Sequence, residues 1–284
     1  MKNILIPTDF SVSANNAFLY ALNIANQLNV KLYVLYSYLT PVLSATHGGQ
    51  PEMLAEVYKQ VELSKFEYFK NQAPHLHQLS EENGLDHSQI VFLFEEGTVL
   101  SAVKKTLDKE EIHLIVMGTH GASGFTNEFV GTNTVAVIRN TQTPVLAIPT
   151  QATYSPISKI AFTTLFREKD SAALAEVIAI SKVFKAEVFC IHVLQDTNKA
   201  ADILLQSEQW TNRFNPNKLD FILLEKNNNS IESTINAFLE ENHIDMLAIV
   251  KRNRNFFDQL VRSSLTNKFA FHAKTPILVL HEEK

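Results

Sequence analysis

Leu114-Ile115-Val116-Met117-Gly118-Thr119-His120-Gly121, followed after nine residues by Gly131-Thr132-Asn133-Thr134-Val135, is the stretch that decides the fold. The apolar run ending at Met117 reads as a buried strand. Gly118 and Gly121 come directly after it, and residues 133–139 can continue as a helix. Strand, glycine-rich loop and helix N-terminus together make an anion site. Glycine lets the backbone approach a phosphate closely, and the unpaired N–H groups of a first helical turn point at it.

Composition bounds the class. The chain has 284 residues, enough for two domains of ordinary size. An apolar fraction of 45% with 19% charged residues describes a globular chain that can bury a core. The net charge of −5 gives no reason to expect nucleic acid or an anionic membrane surface as a partner. Cys190 is the single cysteine, so no internal disulfide forms, and its apolar surroundings read as core. The apolar run at residues 4–6 ends at Pro7 and Asp9, too short for a signal peptide. No run approaches the roughly 20 apolar residues that cross a bilayer. The chain therefore reads as cytoplasmic.

The sequence repeats itself. Residues 2–10 resemble residues 158–166 at a shift of 156, and residues 143–148 resemble residues 275–280 at a shift of 132. Two similar halves, the second shorter in its middle, predict tandem domains over residues 1–150 and 151–284. In the first half, strands are expected near residues 4–7, 31–37, 90–94, 113–118 and 144–149. In the second they are expected near 159–163, 187–193, 221–225, 246–250 and 276–280. Ala14, Phe18, Ala21, Leu22, Ala25 and Leu28 fall at helical spacing between the first two. The expected architecture is α/β: two domains, each a mostly parallel five-stranded sheet with helices on both faces. Ligands of such sheets sit beyond the strands' carboxyl ends, at a switch in strand order, and Asp9 and Gly118 both fall there. The first half's extra length includes a helix over residues 52–72, which Pro74 should interrupt. That segment reads as a connection packing on the sheet, with a lid over the site as the alternative.

Pro7-Thr8-Asp9-Phe10-Ser11 after the first strand, the glycine loop after the fourth, and the closing residues 143–149 in this order resemble the universal stress proteins. The resemblance spans the whole chain, clear in the first half and faint in the second. It implies a Rossmann-like fold of the adenine-nucleotide alpha-hydrolase type, holding ATP or another adenine nucleotide with Mg²⁺. Pro7, Thr8 and Asp9 would lie against the adenosine, and the backbone at Ser37 would face the base. Met117, Gly118 and Gly121 would border ribose and phosphate. Gly131, Thr132 and Asn133 would line the phosphates, with N–H groups from Gly131 and Thr132 and the Thr132 hydroxyl as donors. The competing reading of the same residues is a tight turn with Asp9 capping the next helix. One departure stands out: residues 125–130 carry no Lys or Arg, and Glu128 adds negative charge beside the expected phosphates.

The second half has lost these residues. Asp9 aligns with Leu165, Gly118 with Val250, Gly121 with Asn253, Gly131 with Ser263 and Thr132 with Ser264, and nothing replaces the carboxylate. The stretch Lys251-Arg252-Asn253-Arg254 reads as a solvated basic loop or an anion site. The resemblance gives the second half another role. Final strands pair between domains in this family, so the chain would be an intramolecular pseudo-dimer, with a homodimer as a further assembly and a protein partner still to be found. No histidine or cysteine cluster has structural-metal spacing, and no P-loop or nucleophile elbow occurs. The expected function is nucleotide binding in stress or signalling. Slow ATP hydrolysis, self-phosphorylation near Thr119, His120 and Ser123, and a nucleotide-free scaffold are the alternatives.

Overall fold

The computed structural model describes residues 2–40, 51–119, 131–194, 200–214, 219–226, 231–251 and 274–282. Strands and crossover helices alternate in the order the apolar runs suggest. The first half runs β1 (Asn3–Thr8), α1 (Val12–Leu28), β2 (Lys31–Tyr38), α2 (Pro51–Glu82), β3 (Ile90–Glu96), α3 (Val99–Lys109), β4 (Ile112–Gly118), α4 (Thr132–Asn140) and β5 (Val145–Ile148). The second runs β6 (Lys159–Thr163), α5 (Ser171–Phe184), β7 (Glu187–Leu194), α6 (Ala200–Phe214), β8 (Leu219–Glu225), α7 (Ile231–Glu241), β9 (Met246–Lys251) and β10 (Ile277–His281).

The ten strands among the described residues form one sheet in the order β3-β2-β1-β4-β5-β10-β9-β6-β7-β8. Each half repeats the same doubly wound order, which reverses between its first and fourth strands. Every pairing is parallel except the junction, where β5 and β10 run antiparallel with Leu146 opposite Leu278. Alternate residues face opposite sides, so β1 sends Ile4 and Ile6 into one core and Leu5 into the other. The Ile4–Ile6 core includes residues of α1, α2, α5 and α6, and the Leu5 core includes residues of α3, α4 and α7. Both cores run through both halves. Among the described residues no helix is long and apolar enough to cross a membrane.

Two expectations change. Pro74 lies inside α2, which continues to Glu82. Proline disfavours helix interiors because it lacks an N–H and crowds the preceding turn. Packing outweighs that here: Phe69 and Leu76, on either side of Pro74, are both buried in the sheet-facing core. The described part of the first half's extra length thus packs on the sheet through α2. Lys251, read as part of a basic loop, ends β9 and donates from Nζ to the carbonyls of Ile138 and Arg139 at 3.0 and 2.8 Å. It satisfies the C-terminal end of α4, a role suited to a cation. The rest of that loop lies outside the described residues.

The connection between β5 and β6 docks on α1. Asn16 Nδ2 donates to the carbonyls of Pro149 (3.1 Å) and Ala152 (2.9 Å), and the Tyr20 hydroxyl to that of Thr153 (2.9 Å). Within the connection, Ala152 and Ile157 are buried.

Leu146 and Leu278 are each 1% exposed at the centre of the junction. Leu146→Asp should destabilise the chain by at least about 3 kcal/mol, because it buries an unpaired charge. A chemical denaturation curve unchanged from the parent would contradict this. His281, at the end of β10, has a buried Nε2 with no hydrogen-bond partner among the described residues. Burial, with Lys251 beside it, pushes its imidazole from the ordinary 6.5 down to about 4. The unfolded chain takes up this proton at a higher pH than the folded chain does. Stability is therefore lost as pH falls through the window between these values. His281→Gln should remove that part of the acid sensitivity, measured as the change in denaturation midpoint between about pH 7 and pH 5.

Candidate functional site

The first half's site begins with a turn. At the end of β1 the chain leaves the sheet through Phe10, which adopts a left-handed φ of 60°. That conformation is unfavourable for a residue with a Cβ. Two contacts hold it: the Phe10 N–H donates to Thr8 Oγ1 at 2.9 Å, and the ring stacks on Tyr36. Ser11 then caps α1, its hydroxyl accepting from the Ala14 N–H at 3.2 Å. Asp9 is therefore not the helix cap. Its Oδ1 accepts from the Ser11 N–H at 3.0 Å, which orients the carboxylate at the mouth of the turn.

Gly118, at the end of β4, packs against this turn. A Cβ built there would stand 2.6 Å from Ser13 Oγ and 2.9 Å from the Ser13 carbonyl oxygen. The glycine is required by the approach of strand to helix, where the sequence suggested a close approach to ribose and phosphate or a tight turn. Thr134 tightens the same corner by donating from Oγ1 to the Gly118 carbonyl at 2.9 Å. The Gly131 N–H, expected to face a phosphate, donates instead to the Thr119 carbonyl. Gly131 is the N-cap of α4 and offers no side-chain cap, so the first-turn N–H groups of that helix receive nothing from it. Such groups carry the partial positive charge of a helix start.

These elements enclose a cleft of about 690 Å³, including the space open to solvent at its mouth. Pro7, Thr8, Asp9, Ser37, Met117, Gly118, Gly131, Thr132 and Asn133 all line it. Gly121 and Glu128 lie outside the described residues, as do His120 and Ser123. Thr119 is buried, 1% exposed. Sequence reasoning missed Ala14, Val99 and Thr134, which also line the cleft. Val99 opens α3 just past β3, so the strand-end rule applied to β3 would have found it. A second hollow adjoins, sharing Ser37, Val99 and Asn133, and Lys65 of α2 forms part of its wall.

The second half keeps the turn and changes its chemistry. Phe166 repeats Phe10 with φ 54°, its N–H donating to Thr164 Oγ1 at 2.8 Å and its ring stacking on His192. Leu165 stands where Asp9 does. A carboxylate does stand nearby, though buried and not in the outward place of Asp9. The fully buried Asp170 accepts from the Leu165 N–H (3.0 Å) and the Thr164 hydroxyl (3.1 Å). Those bonds turn its Oδ2 inward onto the turn. Val250, in the place of Gly118, is buried and carries a Cβ for which the first half has no room. Asn253, Ser263 and Ser264 lie outside the described residues.

The sequence model of the Universal stress protein family matches residues 1–149. A universal stress protein of Methanocaldococcus jannaschii is 29% identical over 149 residues, covering 52% of this chain and 81% of that protein. In structure, the chain is similar to a universal stress protein from Archaeoglobus fulgidus, with TM-score 0.71 and 18% identity over 99% of this chain and 98% of that one. It is also similar to a putative universal stress protein from Pseudomonas aeruginosa, with TM-score 0.60 and 12% identity over 99% and 94%. At these identities the two structures speak for the fold.

Gly118→Ala should destabilise the protein by about 1–3 kcal/mol, the usual range for overpacking. Pairing it with Ser13→Ala should restore only part of the loss, because the Ser13 carbonyl remains. A denaturation midpoint equal to the parent's would refute the close approach.

Proposed function

The chain belongs to the universal stress protein family, and from that premise we propose that its first half binds an adenine nucleotide, ATP with Mg²⁺, in the cleft at the ends of β1 and β4. The observation that carries this reading is convergence. Nine residues, from four separate stretches of sequence, line one hollow at the switch in strand order. The fit is chemical as well as spatial. The first turn of α4 supplies N–H groups for phosphate oxygens, and the Thr132 hydroxyl adds a donor. Asp9, held by the Ser11 N–H, puts a carboxylate on the lining, the acceptor type that sugar or base donors call for. Mg²⁺ would reach the site on the phosphates, as this ion usually does.

The same proposal assigns residues 1–150 and 151–284 to two domains of one repeated fold, acting as an intramolecular pseudo-dimer through the β5–β10 pairing. In the second domain Leu165 and Val250 oppose a nucleotide in the same pose. We favour binding over turnover because catalysis needs a positioned base and charge stabilisation in the transition state. The described lining offers one carboxylate and no cationic clamp. Thr119, being buried, is poorly placed to accept a phosphoryl group. On this reading the protein is a cytoplasmic stress or signalling protein whose conformation or protein partner responds to nucleotide.

Calorimetric titration with Mg·ATP should find about one site per chain. Asp9→Asn keeps the oxygen that the Ser11 N–H needs and removes the charge. It should weaken binding by about tenfold or more, the scale of a charged hydrogen bond. Two equivalent sites per chain would refute the division of labour between halves, and no saturable binding would refute the nucleotide reading.

A further inference from the structure

His77, in the last third of α2, and His87, just before β3, meet at the amino ends of the strands, opposite the cleft. Their Nδ1 atoms stand 3.0 Å apart, and the rings meet edge to face with centroids 4.6 Å apart. His77 stacks on Phe92 at 5.5 Å, which restrains its plane. Glu81, one turn along α2 from His77, places Oε1 3.4 Å from His87 Nε2.

Proton placement follows from these contacts. Two ring nitrogens at 3.0 Å repel unless one carries a hydrogen and the other a lone pair. The Glu81 carboxylate favours the Nε2–H form of His87, which leaves its Nδ1 as the lone pair and makes His77 Nδ1 the donor. A metal ion can take the place of that shared proton. Zinc–nitrogen bonds of about 2.0–2.1 Å separate two ligands by about 2.9 Å at a right angle and about 3.4 Å at the tetrahedral angle. The observed 3.0 Å lies between these limits. A carboxylate on the far nitrogen of a ligating imidazole is the usual device that orients it.

We propose that His77 and His87 chelate one first-row divalent cation that favours imidazole, of the zinc, nickel or copper(II) class. Among the described residues no group of three His, Cys, Asp or Glu side chains could hold a metal ion, so water completes the coordination. On binding, the His77 proton passes from Nδ1 to Nε2, with no net release. Burial and the neighbouring His87 hold His77 below the ordinary imidazole value, so its ring is neutral and ready to ligate at neutral pH. Asp86 adds negative charge beside the pair, its carboxyl held low by hydrogen bonds from the Ser88 N–H and hydroxyl. The His87 side chain is 32% exposed, so ions can reach it. The bound ion would clip α2 to the start of β3.

The test is calorimetric titration of the untagged full chain with Zn²⁺, alongside thermal unfolding in Zn²⁺ or chelator. One saturable site and a raised Tm are expected. His77→Gln and His87→Gln should each weaken binding by more than about tenfold. Glu81→Gln should weaken it by about tenfold, the effect of losing an orienting partner. His75→Gln, an exposed neighbour, should leave affinity unchanged. Absence of a saturable site overturns the proposal, as does affinity undiminished in both histidine variants or equally diminished in His75→Gln. Should a histidine variant fail to fold, nitrogen-15 NMR of the unaltered chain decides. Zn²⁺ must shift two histidine Nδ1 resonances, and shifts confined to other ring nitrogens overturn the assignment.

Discussion

A parallel strand covered on both faces has no side chain left for solvent or ligand along its length. In β1, Ile4, Leu5 and Ile6 are all fully buried. The chemistry of this protein is therefore confined to strand ends. Where β1 and β4 diverge toward their own crossover helices, the sheet opens a crevice, and the first turn of α1 faces the end of β4 across it. Gly118 sets how closely they approach. The rest of the cleft follows from that corner: Thr8 holding the turn, Asp9 at its mouth, and Thr134 tying α4 back to the strand.

The two halves separate scaffold from chemistry. Thr8 and Phe10 recur as Thr164 and Phe166 with the same left-handed residue, the same hydroxyl acceptor and the same stacking against the second strand. These are packing devices, and changing either would expose the turn's strain. The residue between them faces outward and is free to change, and there Asp9 becomes Leu165. Asp170 then supplies a carboxylate to the turn's own donors. The second half thus folds like the first while lacking the outward polar group.

Much of this was legible in the sequence, for definite reasons. Short apolar runs bounded by polar residues located all ten strands to within a few residues, since a strand buried on both faces admits little else. Nine of the ten candidate site residues line one cleft because strand ends can be found from strand positions. What stayed hidden depends on contacts between distant residues. Pro74 reads as a breaker until Phe69 and Leu76 are seen to anchor both sides. The Gly131 N–H reads as available until the Thr119 carbonyl appears opposite it. Lys251 reads as a loop residue until the end of α4 is found beside it, 112 positions away from Arg139 in sequence. Ala14 reaches the cleft through tertiary placement and carries no motif.

The antiparallel meeting of β5 and β10 has a consequence for mass action. Two separate chains joined through such an edge would part on dilution, because their contact is bimolecular. Here the connection pinned along α1 holds both edges in one molecule, so the continuity of the sheet does not depend on protein concentration. The partners are also made in a fixed one-to-one ratio. In a symmetric pair every substitution appears twice, on both sides of the interface. In this chain it appears once, so one half can change its surface or lose its ligand chemistry while the other remains as it was.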